Sequence, residues 1–233
     1  MLRLKEIKES LFHLAFPHVC TGCGSDLLSN QTMLCLHCIT AMPDTNFHLH
    51  AANAVEKKFW GRLNLKAATA QYYFTKESLM QHLMHQLKYK GNKPLGIFLG
   101  RMMAESIINS SRFDDVDALI PLPLFKSKER KRGYNQATLL CEGMAEIMQV
   151  PVIKNAVGRS QYTETQTKKN RIERWQNIDG KFELQNQEII AGKHLLLVDD
   201  VVTTGATLEA CGQVLLQSSI SNLSIATLCY AAK

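Results

Sequence analysis

The residues best suited to holding a ligand are two adjacent carboxylates followed by a hydroxyl-rich turn. Asp199 and Asp200 run through Val201 and Val202 into Thr203, Thr204, Gly205, Ala206 and Thr207. Paired carboxylates accept hydrogen bonds from vicinal hydroxyls and help to hold a Mg2+ ion. The threonines bring hydroxyls to the start of a helix, and Gly205 lets backbone approach a ligand closely. The first amides of a helix lack intrahelical partners and favour an anion. A diol grip beside a phosphate cradle describes a pocket for ribose 5-phosphate. Taken singly, Asp-Asp and Thr-Thr-Gly are ordinary turn and capping residues. Their placement, directly after the all-apolar run Leu195–Val198 and ahead of an amphipathic segment, favours the ligand reading. The motif lacks the Gly-Lys-Ser/Thr ending of a Walker loop and is not a GxGxxG fingerprint.

Four of the seven cysteines form two pairs, Cys20-x2-Cys23 and Cys35-x2-Cys38. Such turns let thiolates converge on one ion, and four of them satisfy tetrahedral zinc completely, giving a structural site rather than a catalytic one. The competing reading, a disulfide framework, needs an oxidising compartment. His18 and His37 are then bystanders. Cys141, Cys211 and Cys229 stand singly in apolar stretches and read as small core residues. His82 and His85 lie three apart with no further ligand in register, as on a helix surface.

These groups need a scaffold. Net charge is +6, yet 126–132 (KSKERKR) and 168–174 (KKNRIER) carry +4 and +3, so the basicity is local. Such patches suit a polyanion, or they are simply solvated loops. Residues 1–16 interleave charges with Leu4, Ile7, Leu11 and Leu14, which predicts an amphipathic helix rather than a secretory signal. No apolar run approaches the ~20 residues of a membrane span. We therefore expect a cytoplasmic protein that is not integral to a membrane.

Residues 41–61 show little periodicity, and the boundary is set there, giving 1–55 (helix and four-cysteine zinc module) and 56–233. Strands are expected over 68–74, 116–122, 151–157, 194–198 and 223–230. Helices are expected over 78–88, 95–108, 133–149 and 204–217. Alternation of this kind indicates a parallel sheet covered on both faces. An all-apolar 195–198 fits its centre.

The segment LLLVDDVVTTGATL resembles the phosphoribosyl pyrophosphate (PRPP) signature of type I phosphoribosyltransferases. With the cysteine module, with PLPLFK leading to KRGYNQA at 121–137, and with TETQTKKNRIERWQNIDGKF at 163–182, the chain is similar to the ComF family of competence proteins. The resemblance implies an α/β, Rossmann-like phosphoribosyltransferase fold with a small zinc module. It implies that Asp199 and Asp200 hold the ribose hydroxyls of Mg-PRPP and that Thr203–Thr207 hold the 5-phosphate. Pro123, Leu124, Phe125 and Lys126 would form the pyrophosphate loop. Thr163, Gln166, Arg171 and Arg174 would lie on a mobile basic loop. Arg132, Tyr134, Asn135 and Gln136 would be possible nucleic-acid or phosphate contacts, with Tyr134 or Trp175 as a stacking face.

Three functions follow as expectations. One is phosphoribosyl transfer from PRPP to an unidentified acceptor, within DNA uptake. Another is a competence factor that binds single-stranded DNA, with PRPP as regulator and a helicase as partner. The third is nucleotide salvage, for which no base-selecting residues are evident.

Overall fold

The structure, a computed structural model, describes residues 18–26, 32–159 and 182–232. Four parallel strands form its centre in the order β1-β6-β5-β2: β1 (Ala67–Tyr73), β2 (Ala118–Pro121), β5 (His194–Val202) and β6 (Asn222–Tyr230). Because side chains alternate across a strand, β5 sends Leu195 and Leu197 into one core layer and Leu196 and Val198 into the other. That two-sided burial explains the unbroken apolar run.

One layer is covered by α3 (Leu79–Tyr89), α4 (Lys93–Ile107) and α6 (Gln136–Met148). Each begins where a side chain accepts backbone amides: Ser78 from Gln81, Asn92 from Leu95, and Asn135 from Ala137. The other layer is covered by α7 (Ala206–Leu216) and by the segment around α2 (Ala54–Lys57), through Val55, Phe59 and Leu63.

The cysteine turns, with α1 (Leu36–Thr40), do not form a separate core among the described residues. Cys20, Leu34 and Cys38 pack into the same layer as α3 and α4. Gly22 marks the closest approach, where a Cβ would lie 2.8 Å from Cys38 Sγ and 3.0 Å from Leu79 Cδ1.

The structure corrects the expected elements in three places. Residues 151–157 form no strand of the main sheet; only Val152 bridges Leu119, and the turn at Lys154–Asn155 ends the pairing. Instead β3 (Val157–Arg159) makes an antiparallel ribbon with β4 (Phe182–Leu184). The basic run 126–132 is a short exposed helix, α5 (Lys126–Arg132), with no buried residue. Finally, β5 does not end at Val198 but stays paired with β6 through Asp199, Val201 and Val202. The amphipathic helix expected over 1–16 lies outside the described residues.

At the opposite end of the sheet, His194 is buried, with Nδ1 2.9 Å from Asp115 Oδ1 and Nε2 2.8 Å from Ser224 Oγ. These are the partners of a nucleophilic triad, but Ser224 is 0% exposed, so no substrate reaches it. The arrangement clamps β5 to β6.

Candidate functional site

Continuation of β5 through both acids decides their geometry. Consecutive strand residues project to opposite faces. Asp200, 9% exposed, turns toward α3, where Lys88 Nζ lies 3.0 Å from Oδ2. Asp199 falls on the other side, is half-buried, and accepts the Asp200 amide at 2.8 Å. Burial, and then the charge of Asp200, push the Asp199 carboxyl up to about 8; the Asp200 amide, Lys88 and Arg159 oppose the shift.

The chain then turns through exposed Thr203 and Thr204 into Gly205, which has φ +83 and caps α7. A Cβ at Gly205 would meet the Phe59 ring at 2.9 Å, so both backbone and space demand glycine. Thr204 Oγ1 accepts the Ala206 amide at 3.4 Å, and Thr207 stands half-buried in the first turn. Phe59 belongs to the segment before β1, which also holds α7 through an ion pair between Arg62 and Glu209 at 2.7 Å.

Beyond β2, Pro123 and Leu124, with Lys126 at the start of α5, line a cavity of about 560 Å3, while Phe125 caps that helix outside the lining. Arg159, from β3, forms part of its wall. Its guanidinium is 3.9 Å from the Phe125 ring centroid and 4.9 Å from that of Phe182, and Nη1 donates to the Pro123 carbonyl at 3.3 Å. Its buried Nε has no partner among the described residues. Burial lowers the basicity of Arg159. Neither Lys88 nor Arg159 was singled out from sequence. Each sits outside the charge runs, and only the fold brings it to the acids.

The stretch from Arg132 to Gln136 supports the site from beneath. Tyr134 is 8% exposed, and its hydroxyl donates to the Leu87 carbonyl, so the stacking face expected there is not at the surface. Asn135 caps α6 and donates through Nδ2 to the Leu122 carbonyl at 2.9 Å, fixing the loop that follows β2. Gln136 is buried, and Arg132 is half-buried, 5.9 Å from the Tyr89 ring. Thr163, Gln166, Arg171 and Arg174, with Trp175, lie outside the described residues.

The sulfurs of Cys20, Cys23, Cys35 and Cys38 all lie within 4.8 Å of one another, with Cys23 and Cys35 at 3.6 Å. Four thiolates ~2.3 Å from one zinc ion are ~3.8 Å apart, so these dimensions fit. The Cys35 amide donates to Cys20 Sγ at 3.2 Å. Bonds from Ser25 draw the Cys23 thiol down to about 6. By contrast, burial pushes Cys141, Cys211 and Cys229 up, as expected of core thiols. His18 bonds to the Thr32 carbonyl and His82 to that of Thr21, so neither histidine serves the cluster.

A parallel sheet with two acids and a glycine turn at its carboxyl edge is the architecture of a phosphoribosyltransferase domain. Residues 137–233 match the family model described as phosphoribosyl transferase domain. The DNA utilization protein YhgH of Escherichia coli O157:H7 is 29% identical over 93% of this chain and 92% of its own. Competence protein F of Haemophilus influenzae is 25% identical over 91% and 90%. Competence protein ComFC of Bacillus subtilis is 29% identical over 65% and 61%. Over most of its length the chain is thus similar to proteins named for DNA utilization and competence, with a phosphoribosyl transferase domain matched in its C-terminal part.

The raised Asp199 makes a prediction about stability. In the unfolded chain this carboxyl ionises near its ordinary value of ~3.9, while in the folded state it holds its proton to about 8. The folded state therefore binds the extra proton across that window, and stability falls as pH rises through it. Asp199→Asn removes the effect. Its melting temperature should exceed that of the wild type at pH 8, by roughly 2–4 °C for each kcal/mol, and the difference should shrink toward pH 4. Thermal melts at pH 4.5 and 8 check this; equal differences at both would refute it.

Proposed function

We propose that the protein binds Mg-PRPP at the carboxyl end of β5 and transfers its phosphoribosyl group to an acceptor in the cytoplasm, in the service of DNA utilisation. The observation that carries this reading is the meeting of Asp199, Asp200 and the Thr203–Gly205 turn at one strand end. A ribose laid across that end presents its diol to one carboxylate from each side of the strand. Its 5-phosphate then faces the free amides of α7. Mg2+ arriving with the substrate would neutralise charge on the pyrophosphate, and Asp199 and Asp200 are the residues that would hold it.

Transfer breaks the bond from C1 to the pyrophosphate oxygen. The electron pair leaves with pyrophosphate, and the acceptor supplies the pair that forms the new bond at C1. Negative charge therefore grows on the departing group. Arg159 and Lys126, beside the 123–126 loop, are the cations set to meet it, which favours the transition state over the ground state. The half-buried setting of Arg159 strengthens its attraction for that charge.

The cysteine cluster supports a second proposal: one structural Zn2+, held by Cys20, Cys23, Cys35 and Cys38. The metal would fix a stretch too short to fold on its own core. Purified protein should contain about one zinc per chain by elemental analysis, and Cys20→Ser should lose it and melt at lower temperature. Protein purified without zinc yet melting identically would refute the assignment.

An alternative reading, binding of single-stranded DNA, is favoured by two surface features. Lys126, Lys128, Arg130 and Lys131 of α5 are exposed, and Trp60 is 61% exposed with Lys57 Nζ 6.0 Å from its ring. Oligonucleotide affinity should fall steeply as salt rises, and Trp60→Ala should weaken it about 5-fold or more, roughly the ~1 kcal/mol of a lost stacking contact. Salt-independent retention would count against this reading.

The main proposal is tested by calorimetric titration with Mg-PRPP. The wild type should bind saturably, and Asp199→Asn with Asp200→Asn should abolish the heat. Gly205→Val should also bind poorly, because it forces both the backbone and Phe59 to move. Absence of binding by folded wild-type protein at millimolar ligand would end the proposal.

A further inference from the structure

We infer that Lys88 is a positioning residue of the ligand site, holding Asp200 in place and setting the charge that an incoming anion meets. The inference rests on the PRPP reading above. Lys88 ends a helix that belongs to none of the sequence motifs, yet its Nζ lies 3.0 Å from Asp200 Oδ2. A lysine in the last turn of a helix ordinarily reaches for its own free carbonyls or for water. This one instead crosses to an acid on another element.

An exposed ion pair would be unremarkable, since such pairs contribute little. Here the side chains are only 23% and 12% exposed, so solvent screens the pair weakly. The helix is also anchored along its length. Met80, Leu83 and Leu87 are fully buried, and Tyr134 donates to the carbonyl of Leu87, the residue before Lys88. The ammonium is therefore delivered to Asp200 by a rigid element rather than by a loose surface chain.

The chemistry explains why such a cation belongs there. The Asp200 carboxylate, left alone, would repel an incoming polyphosphate. The Lys88 ammonium offsets that charge, and two of its N–H groups remain for ligand oxygens. The same ammonium competes with any divalent cation for Asp200. Removing it should consequently weaken an anion and strengthen a bare cation. A general loosening of the fold would weaken both.

The experiment measures two affinities in wild type, Lys88→Met, Lys88→Gln and Lys88→Arg: MgCl2 alone, and PRPP at saturating Mg2+. Lys88→Met and Lys88→Gln should bind PRPP about tenfold or more weakly and bind Mg2+ alone more tightly. Lys88→Arg should stay close to the wild type in both. Two neutral variants guard against one that fails to fold, with circular dichroism melts as the check. Unchanged affinities, shifts of both in one direction, or an arginine variant as impaired as the methionine variant would overturn the inference. If wild-type protein binds no PRPP, the function proposed above falls, and the Mg2+ measurement alone decides the role of Lys88.

Discussion

Two neighbouring carboxylates at the end of a strand buried on both faces are the constraint to which the rest of the molecule answers. Each would ionise freely in water, and neither is in water. The pleat of β5 separates them, one to each core layer. Each side then supplies a cation from a different element: Lys88 by direct contact, and Arg159 through the field it exerts on Asp199. Even so, the compensation is incomplete, and Asp199 stays reluctant to ionise. The ligand proposed above would bring to such a site its own hydroxyl donors and divalent cation.

Much of the frame was legible in the sequence because local chemistry announced it. The run Leu195–Val198 could only be a two-sided strand, and the spacing of Leu and Met marked α3 and α4 to within a few residues. The paired Cys-x2-Cys turns were read correctly as a cluster because ligand spacing is a local property. Errors arose where a neighbour far away in sequence decides. Nothing near Asp199 says that β6 continues its ladder through Thr227 and Cys229, which is what turns the two acids apart. Arg159 is an ordinary cation until the rings of Phe125 and Phe182 enclose it.

Tyr134 shows the same limit from the other side. An aromatic beside basic residues invites a reading as a stacking platform, but the hydroxyl fastens the turn between α5 and α6 to α3 instead. Asn135, in the same run, joins a helix start to the loop after β2. This conspicuous stretch acts largely as scaffold. By contrast, Trp60 lay in a segment that sequence periodicity marked only as a boundary, and it is among the most exposed aromatic residues described.

The helix α3 touches the cysteine turns at one end, through His82 and Leu79, and Asp200 at the other, through Lys88. Eleven helical residues span about 16 Å, short enough to move as one lever. The cysteine turns and the Asp200 carboxylate thus share one support: the helix that packs on the first carries the ammonium that meets the second.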